Sequence, residues 1–76
     1  MNYIVIEMQT TNGETAAIHN VYTSFPPAEQ AYHTVLAAAA VSAVPLHSAS
    51  MLNERGQLIK YECYEHGQEE EEAPEE

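Results

Sequence analysis

Apolar residues follow two rhythms along the chain. From Tyr3 to Gln9 it reads Tyr-Ile-Val-Ile-Glu-Met-Gln, with Ile4, Ile6 and Met8 alternating with a more mixed set. Period two in β-branched and aromatic residues predicts a strand. Asn12-Gly13 is a strong short-range hairpin signal, and a return strand is expected over about residues 15–23, with Ile18, Val21 and Tyr22. The rhythm then turns helical. Ala28, Ala31, Tyr32, Val35, Leu36 and Ala39 form one stripe, and Glu29, Gln30, His33 and Thr34 lie off it. Pro27 suits the first helical position. Phe25 and Pro26, each preceding a proline, are expected to be extended. Ala37 to Ala40 adds helix propensity without bulk, and the helix should stop between Ala40 and Ala43, before Val44-Pro45. Period two returns at about Leu46 to Asn53 and Leu58 to His66, around a turn at Gly56.

The plan is hairpin, helix, hairpin. It predicts an α+β fold, ββαββ, in which one helix packs on one face of a four-stranded, mainly antiparallel sheet. Residues 1–66 are expected to form the single domain. Whether the hairpins join through their first and last strands or through their inner strands is open at this level.

Register decides which side chains the helix covers, because a slip of one residue exchanges the faces. A two-residue Asn12-Gly13 turn pairs Ile6 with His19. A three-residue turn with Gly13 in a bulge pairs Ile6 with Ile18 and Met8 with Ala16. The bulged turn gathers Ile4, Ile6, Met8, Ala16, Ile18 and Tyr22 on one face and is the expected one. A bulge at Gly56 in the second hairpin sets Met51 opposite Ile59, Ala49 opposite Tyr61 and His47 opposite Cys63. The face beyond the helix then carries Tyr3, Val5, Val21, Leu46, Leu52, Leu58 and Tyr64. A soluble monomer rarely exposes so large an apolar patch, so a homodimer through this surface is expected.

Charge narrows the partners. The 76 residues carry a formal net charge of −10, and the only cationic side chains of lysine or arginine are Arg55 and Lys60. Six of the twelve acids fall at Glu69 to Glu72, Glu75 and Glu76, so residues 67–76 are expected to be a disordered acidic tail. Direct nucleic-acid binding needs cationic contacts to phosphate, and an anionic membrane surface is disfavoured likewise. No apolar run approaches the roughly 20 residues of a bilayer span, and Met1-Asn2-Tyr3-Ile4 lacks a basic signal segment. A cytoplasmic protein is expected. One cysteine, Cys63, forms no intramolecular disulfide, and a domain this small is of marginal stability without a partner, a metal or an efficient core.

Candidate chemistry is sparse. Cys63 and His66 have a C-x-x-H spacing, and His19, His33 and His47 are further possible ligands. Residues three apart on a strand diverge, however, so no metal site and no cofactor are expected. Cys63 with His47 would make a thiolate–imidazole pair, yet no residue is placed to orient the histidine and no glycine-rich loop could bind an oxyanion. Glu7, Glu62 and Glu65 read as solvated strand positions. The tyrosines suit a partner surface. The expectation is a non-catalytic protein with an unidentified protein partner. The alternative is an acidic inhibitor, a nucleic-acid mimic that blocks a basic host protein.

The segment Ala31-Tyr32-His33-Thr34-Val35-Leu36-Ala37-Ala38-Ala39-Ala40-Val41-Ser42, then Val44-Pro45-Leu46-His47-Ser48-Ala49, forms a distinctive run with the opening Tyr3-Ile4-Val5-Ile6-Glu7 and the closing Glu62-Cys63-Tyr64. Together they resemble small uncharacterised proteins of conjugative transposons and prophages in clostridia and related Firmicutes. The resemblance covers most of residues 3 to 66. It implies a mobile-element accessory protein of the bacterial cytoplasm and carries over no functional residue.

Overall fold

The structure is a computed structural model and describes residues 1–66; the expected acidic tail, 67–76, lies outside the described residues. Five elements follow in order: β1 (Tyr3–Thr11), β2 (Glu14–Tyr22), α1 (Phe25–Ala40), β3 (Leu46–Asn53) and β4 (Leu58–Glu65). The four strands form one antiparallel sheet in the order β2-β1-β3-β4. The fold is α+β, ββαββ. The hairpins join through β1 and β3, the leading strand of each, which is neither of the two arrangements left open by the sequence. β1 and β3 supply the buried strand residues Val5, His47, Ala49, Met51 and Asn53, which is why they take the centre. β2 and β4 take the edges.

α1 begins earlier than expected. Ser24 is the extended N-cap, and Phe25 and Pro26 are already helical. The first helical N–H groups have no intrahelical acceptor, so two prolines in the first turn forfeit no hydrogen bond. The apolar stripe falls where the spacing places it: Ala28, Tyr32 and Ala39 are buried, with Ala31, Val35 and Leu36 half-buried. At the far end Val41 and Ser42 donate their N–H groups to Ala38 and Ala39. The His66 ring Nε2 lies 2.8 Å from the Ala39 carbonyl, supplying a partner to one of the helix's last carbonyls.

The first hairpin corrects the expected register. Ile6 faces His19 and Met8 faces Ala17, around a two-residue turn. Asn12 and Gly13 have φ of 55° and 81°, both positive as a type I′ turn requires. Asparagine tolerates that region, so local turn chemistry outweighs the face pattern. In the second hairpin the Gly56 turn forms, with Gly56 N–H bonded to the Asn53 carbonyl at 2.9 Å and Asn53 N–H to the Gln57 carbonyl at 3.1 Å. The Asn53 carboxamide oxygen also accepts from the N–H groups of Arg55 and Gln57. A further bulge follows directly. Leu52 faces Leu58, but Met51 faces Lys60, Ala49 faces Glu62 and His47 faces Tyr64. The extra residue at Ile59 sends Tyr61 and Cys63 to the opposite face from the one expected.

Candidate interaction surface

Strand alternation and these registers sort the sheet into two faces. The covered face packs Val5, Ala49 and Met51 against Ala28 and Tyr32 of α1, with Tyr3, Tyr22 and Phe25 at its margin. Three residues expected on the bare face therefore belong here. Val5 is 3% exposed and part of the core. Tyr3 meets the Phe25 ring edge-on at 5.5 Å. Tyr64 lies opposite buried His47 and stacks on His66 at 6.1 Å. The cause is the one-residue difference in each register.

Most polar side chains at the centre of the covered face have partners. His47 Nε2 lies 2.6 Å from Glu7 Oε2, which also accepts from Gln9 Nε2 at 3.0 Å. His47 Nδ1 is buried without a partner. Lys60 reaches Glu29 of α1 at 2.8 Å, and its Nζ stands 5.8 Å from the Phe25 and Tyr32 ring centroids. The Lys60 ammonium holds the Glu29 carboxyl below its ordinary range. Burial, followed by the charge of Glu62, raises the Tyr32 phenol. The carboxylates Glu7 and Glu29 are thus engaged internally rather than arrayed for a basic partner.

The bare face is built by Ile4, Ile6 and Met8 of β1, Ala17, His19 and Val21 of β2, Leu46, Ser48, Ser50 and Leu52 of β3, and Tyr61 and Cys63 of β4. Val21, Leu46 and Leu52 are where the sequence put them. Leu58 is exposed beside the bulge. Sequence reasoning placed Ile4, Ile6, Met8 and Tyr61 under the helix. The Asn12-Gly13 pair was the signal for the true register of β1, since it favours a two-residue turn. Among the described residues, Glu65 at one corner is the single carboxylate on this face, and no lysine or arginine lies on it. The Tyr61 phenol is raised above its ordinary value, first by the adjacent Cys63 and then by burial.

Cys63 lies opposite Ser48, not His47, and on the other side of the sheet from the His47 ring; the thiolate–imidazole pair is not assembled. Among the described residues no three His, Cys or Glu side chains converge as metal ligands do. An open hollow of about 480 Å³ lined by Thr10, Asn12, Gly13, Pro45 and Leu46 has no titratable side chain in its lining. No helix of the described residues is long and apolar enough to cross a membrane. Comparison with models of protein families, with curated proteins and with solved structures finds no match.

Proposed function

We propose that this chain is a non-catalytic interaction protein that works self-associated, two copies meeting through their bare sheet faces. One observation carries the reading: in a chain of net charge −10, the uncovered face is apolar and nearly free of charge. Two such molecules repel over most of their surface, and this face lets them approach without opposing carboxylates. The size suffices. Four strands about 4.8 Å apart and eight residues long present about 500 Å² of flat area per copy. A pair buries about 1,000 Å², the lower bound for a specific interface. Sheets packed this way lie about 10 Å apart with interdigitating side chains.

The surface differs from the expected one: Ile4, Ile6, Met8 and Tyr61 take the places of Tyr3, Val5 and Tyr64, while Val21, Leu46, Leu52 and the flanking Leu58 stay. The resemblance to mobile-element proteins supports an accessory role in the bacterial cytoplasm, with a further protein as partner. The acidic-inhibitor reading draws less support, because Glu7 and Glu29 are held by internal partners.

Sedimentation velocity over a concentration series tests the proposal. The wild-type chain should sediment above its 8.4 kDa monomer mass at micromolar concentration. Ile6→Lys, which puts a charge in the centre of the face, should lower the mass while its circular dichroism stays wild-type. A wild-type chain that stays monomeric overturns the reading.

A further inference from the structure

The two edges of the sheet are unlike. β4 carries Lys60, Glu62 and Glu65 and is kinked by its bulge, features that discourage strand addition. β2 has none of these. It runs unbroken through nine residues, Glu14–Tyr22, without proline or lysine, and its only carboxylate, Glu14, sits at the turn. Every residue of it but Tyr22 is exposed. Such an edge is a template for another strand.

Its hydrogen-bonding pattern admits a second copy of the same strand. The turn bond makes Thr11 and Glu14 a hydrogen-bonded pair, so Glu14, Ala16, Ile18, Asn20 and Tyr22 direct their peptide groups to β1. Thr15, Ala17, His19 and Val21 direct theirs outward. The midpoint of β2 is Ile18, which is 57% exposed. Two β2 strands paired antiparallel about Ile18 set Ala17 of each copy opposite His19 of the other, and Thr15 opposite Val21. Both pairings are between outward-directed residues, so every outward N–H and C=O is satisfied. The two Ile18 side chains meet at a non-hydrogen-bonded position, where side chains approach closest. Glu14 falls opposite Tyr22, and no carboxylate faces another.

We propose that β2 pairs with β2 of a second copy, joining two four-stranded sheets into one continuous sheet with both helices on the same side. This two-fold axis stands perpendicular to the sheet. The axis of the face-to-face contact lies parallel to it. The edge contact uses the outward peptide groups of β2 and the face contact uses the side chains of the bare face; with the second axis running across the strands to meet the first below Ile18, the two axes build a closed tetramer of 222 symmetry.

Amide hydrogen exchange on the full chain tests the edge contact apart from the face contact. The N–H groups of Ala17 and His19 have no acceptor within one copy, so the proposal expects slow exchange there, as at Ile18. Ala17→Pro removes an outward N–H and leaves the β1 ladder intact; because the Ala17 side chain also stands on the bare face, Ala17→Val, which keeps the N–H, is its control and should keep the wild-type mass. Ala17→Pro should lower the assembly mass about twofold, and in the Ile6→Lys background it should leave monomers. Fast exchange at Ala17 and His19 beside slow exchange at Ile18, in wild-type protein, overturns the proposal and leaves the edge to a strand of a different protein. An unchanged mass for folded Ala17→Pro overturns it equally.

Discussion

Under α1, the apolar trio Val5, Ala49 and Met51 shares the sheet with Glu7, His47, Asn53 and Lys60. On the other side Ile4, Ile6, Met8 and Leu52 stand among serines and small residues, with no lysine or arginine and one corner carboxylate among the described residues. The helix thus covers the more polar of two apolar faces. It can do so because it brings partners for Lys60: the Glu29 carboxylate and the Phe25 and Tyr32 rings beside the ammonium, while His47 and Glu7 partner each other within the sheet. The bare face needs no such partners and gains most from another apolar layer. The more apolar face of a sheet is therefore not always the one a domain covers with its own helix.

Four substitutions break or sharpen this contrast. Met51→Ala should have the largest effect on folding. Met51 is fully buried, and such truncations cost about 2–5 kcal/mol, enough to unfold much of a domain this small; urea denaturation measures it. Glu7→Ala should come next, since it strands the buried His47 ring nitrogen. The loss is about 1–3 kcal/mol, and adding His47→Phe should recover part of it. Lys60→Met should act mildly, because its ion pair with Glu29 is partly exposed. Its signature is in pH. The carboxyl of Glu29 is lowered in the folded chain, so its stabilising contribution is present above the ordinary carboxylate range and is lost as pH falls through the lowered value. Thermal melts between neutral and acid pH should show that loss flattened in Lys60→Met. Ile6→Lys on the bare face should change monomer stability least, within about 0.5 kcal/mol, while abolishing the face contact. Equal destabilisation by Met51→Ala and Ile6→Lys would erase the distinction between the faces.

Much of the fold was legible because it rests on local rules. The helical stripe from Ala28 to Ala39, the bounds of β3 and the glycine turn at Gly56 follow from spacing and turn chemistry, and the observed elements agree. The faces were not legible, for a physical reason. Pattern fixes register when one face must meet water and the other must not. In β1 both Ile4-Ile6-Met8 and Tyr3-Val5 are apolar, so the pattern favoured the wrong one, and the Asn12-Gly13 turn decided. The bulge at Ile59 has no local signature, yet it moves Lys60 toward the helix and Cys63 to the bare face. Strand order escaped as well, because it reflects which strands bury most when all four are assembled. Val21, Leu46 and Leu52 lie on the uncovered face, as the pattern expects. Tyr3, Val5 and Tyr64 were displaced by those two register differences.

Cys63 supplies the most direct probe of the central claim. It is the only thiol of the chain and lies half-buried on the bare face, at the opposite edge from β2. Face-to-face association should bury it, and edge pairing should not. The rate of its reaction with a small disulfide reagent should fall as wild-type protein is concentrated and should stay constant for Ile6→Lys. A wild-type rate independent of concentration, across a range in which the protein self-associates, would contradict the assignment of the bare face as the contact between copies.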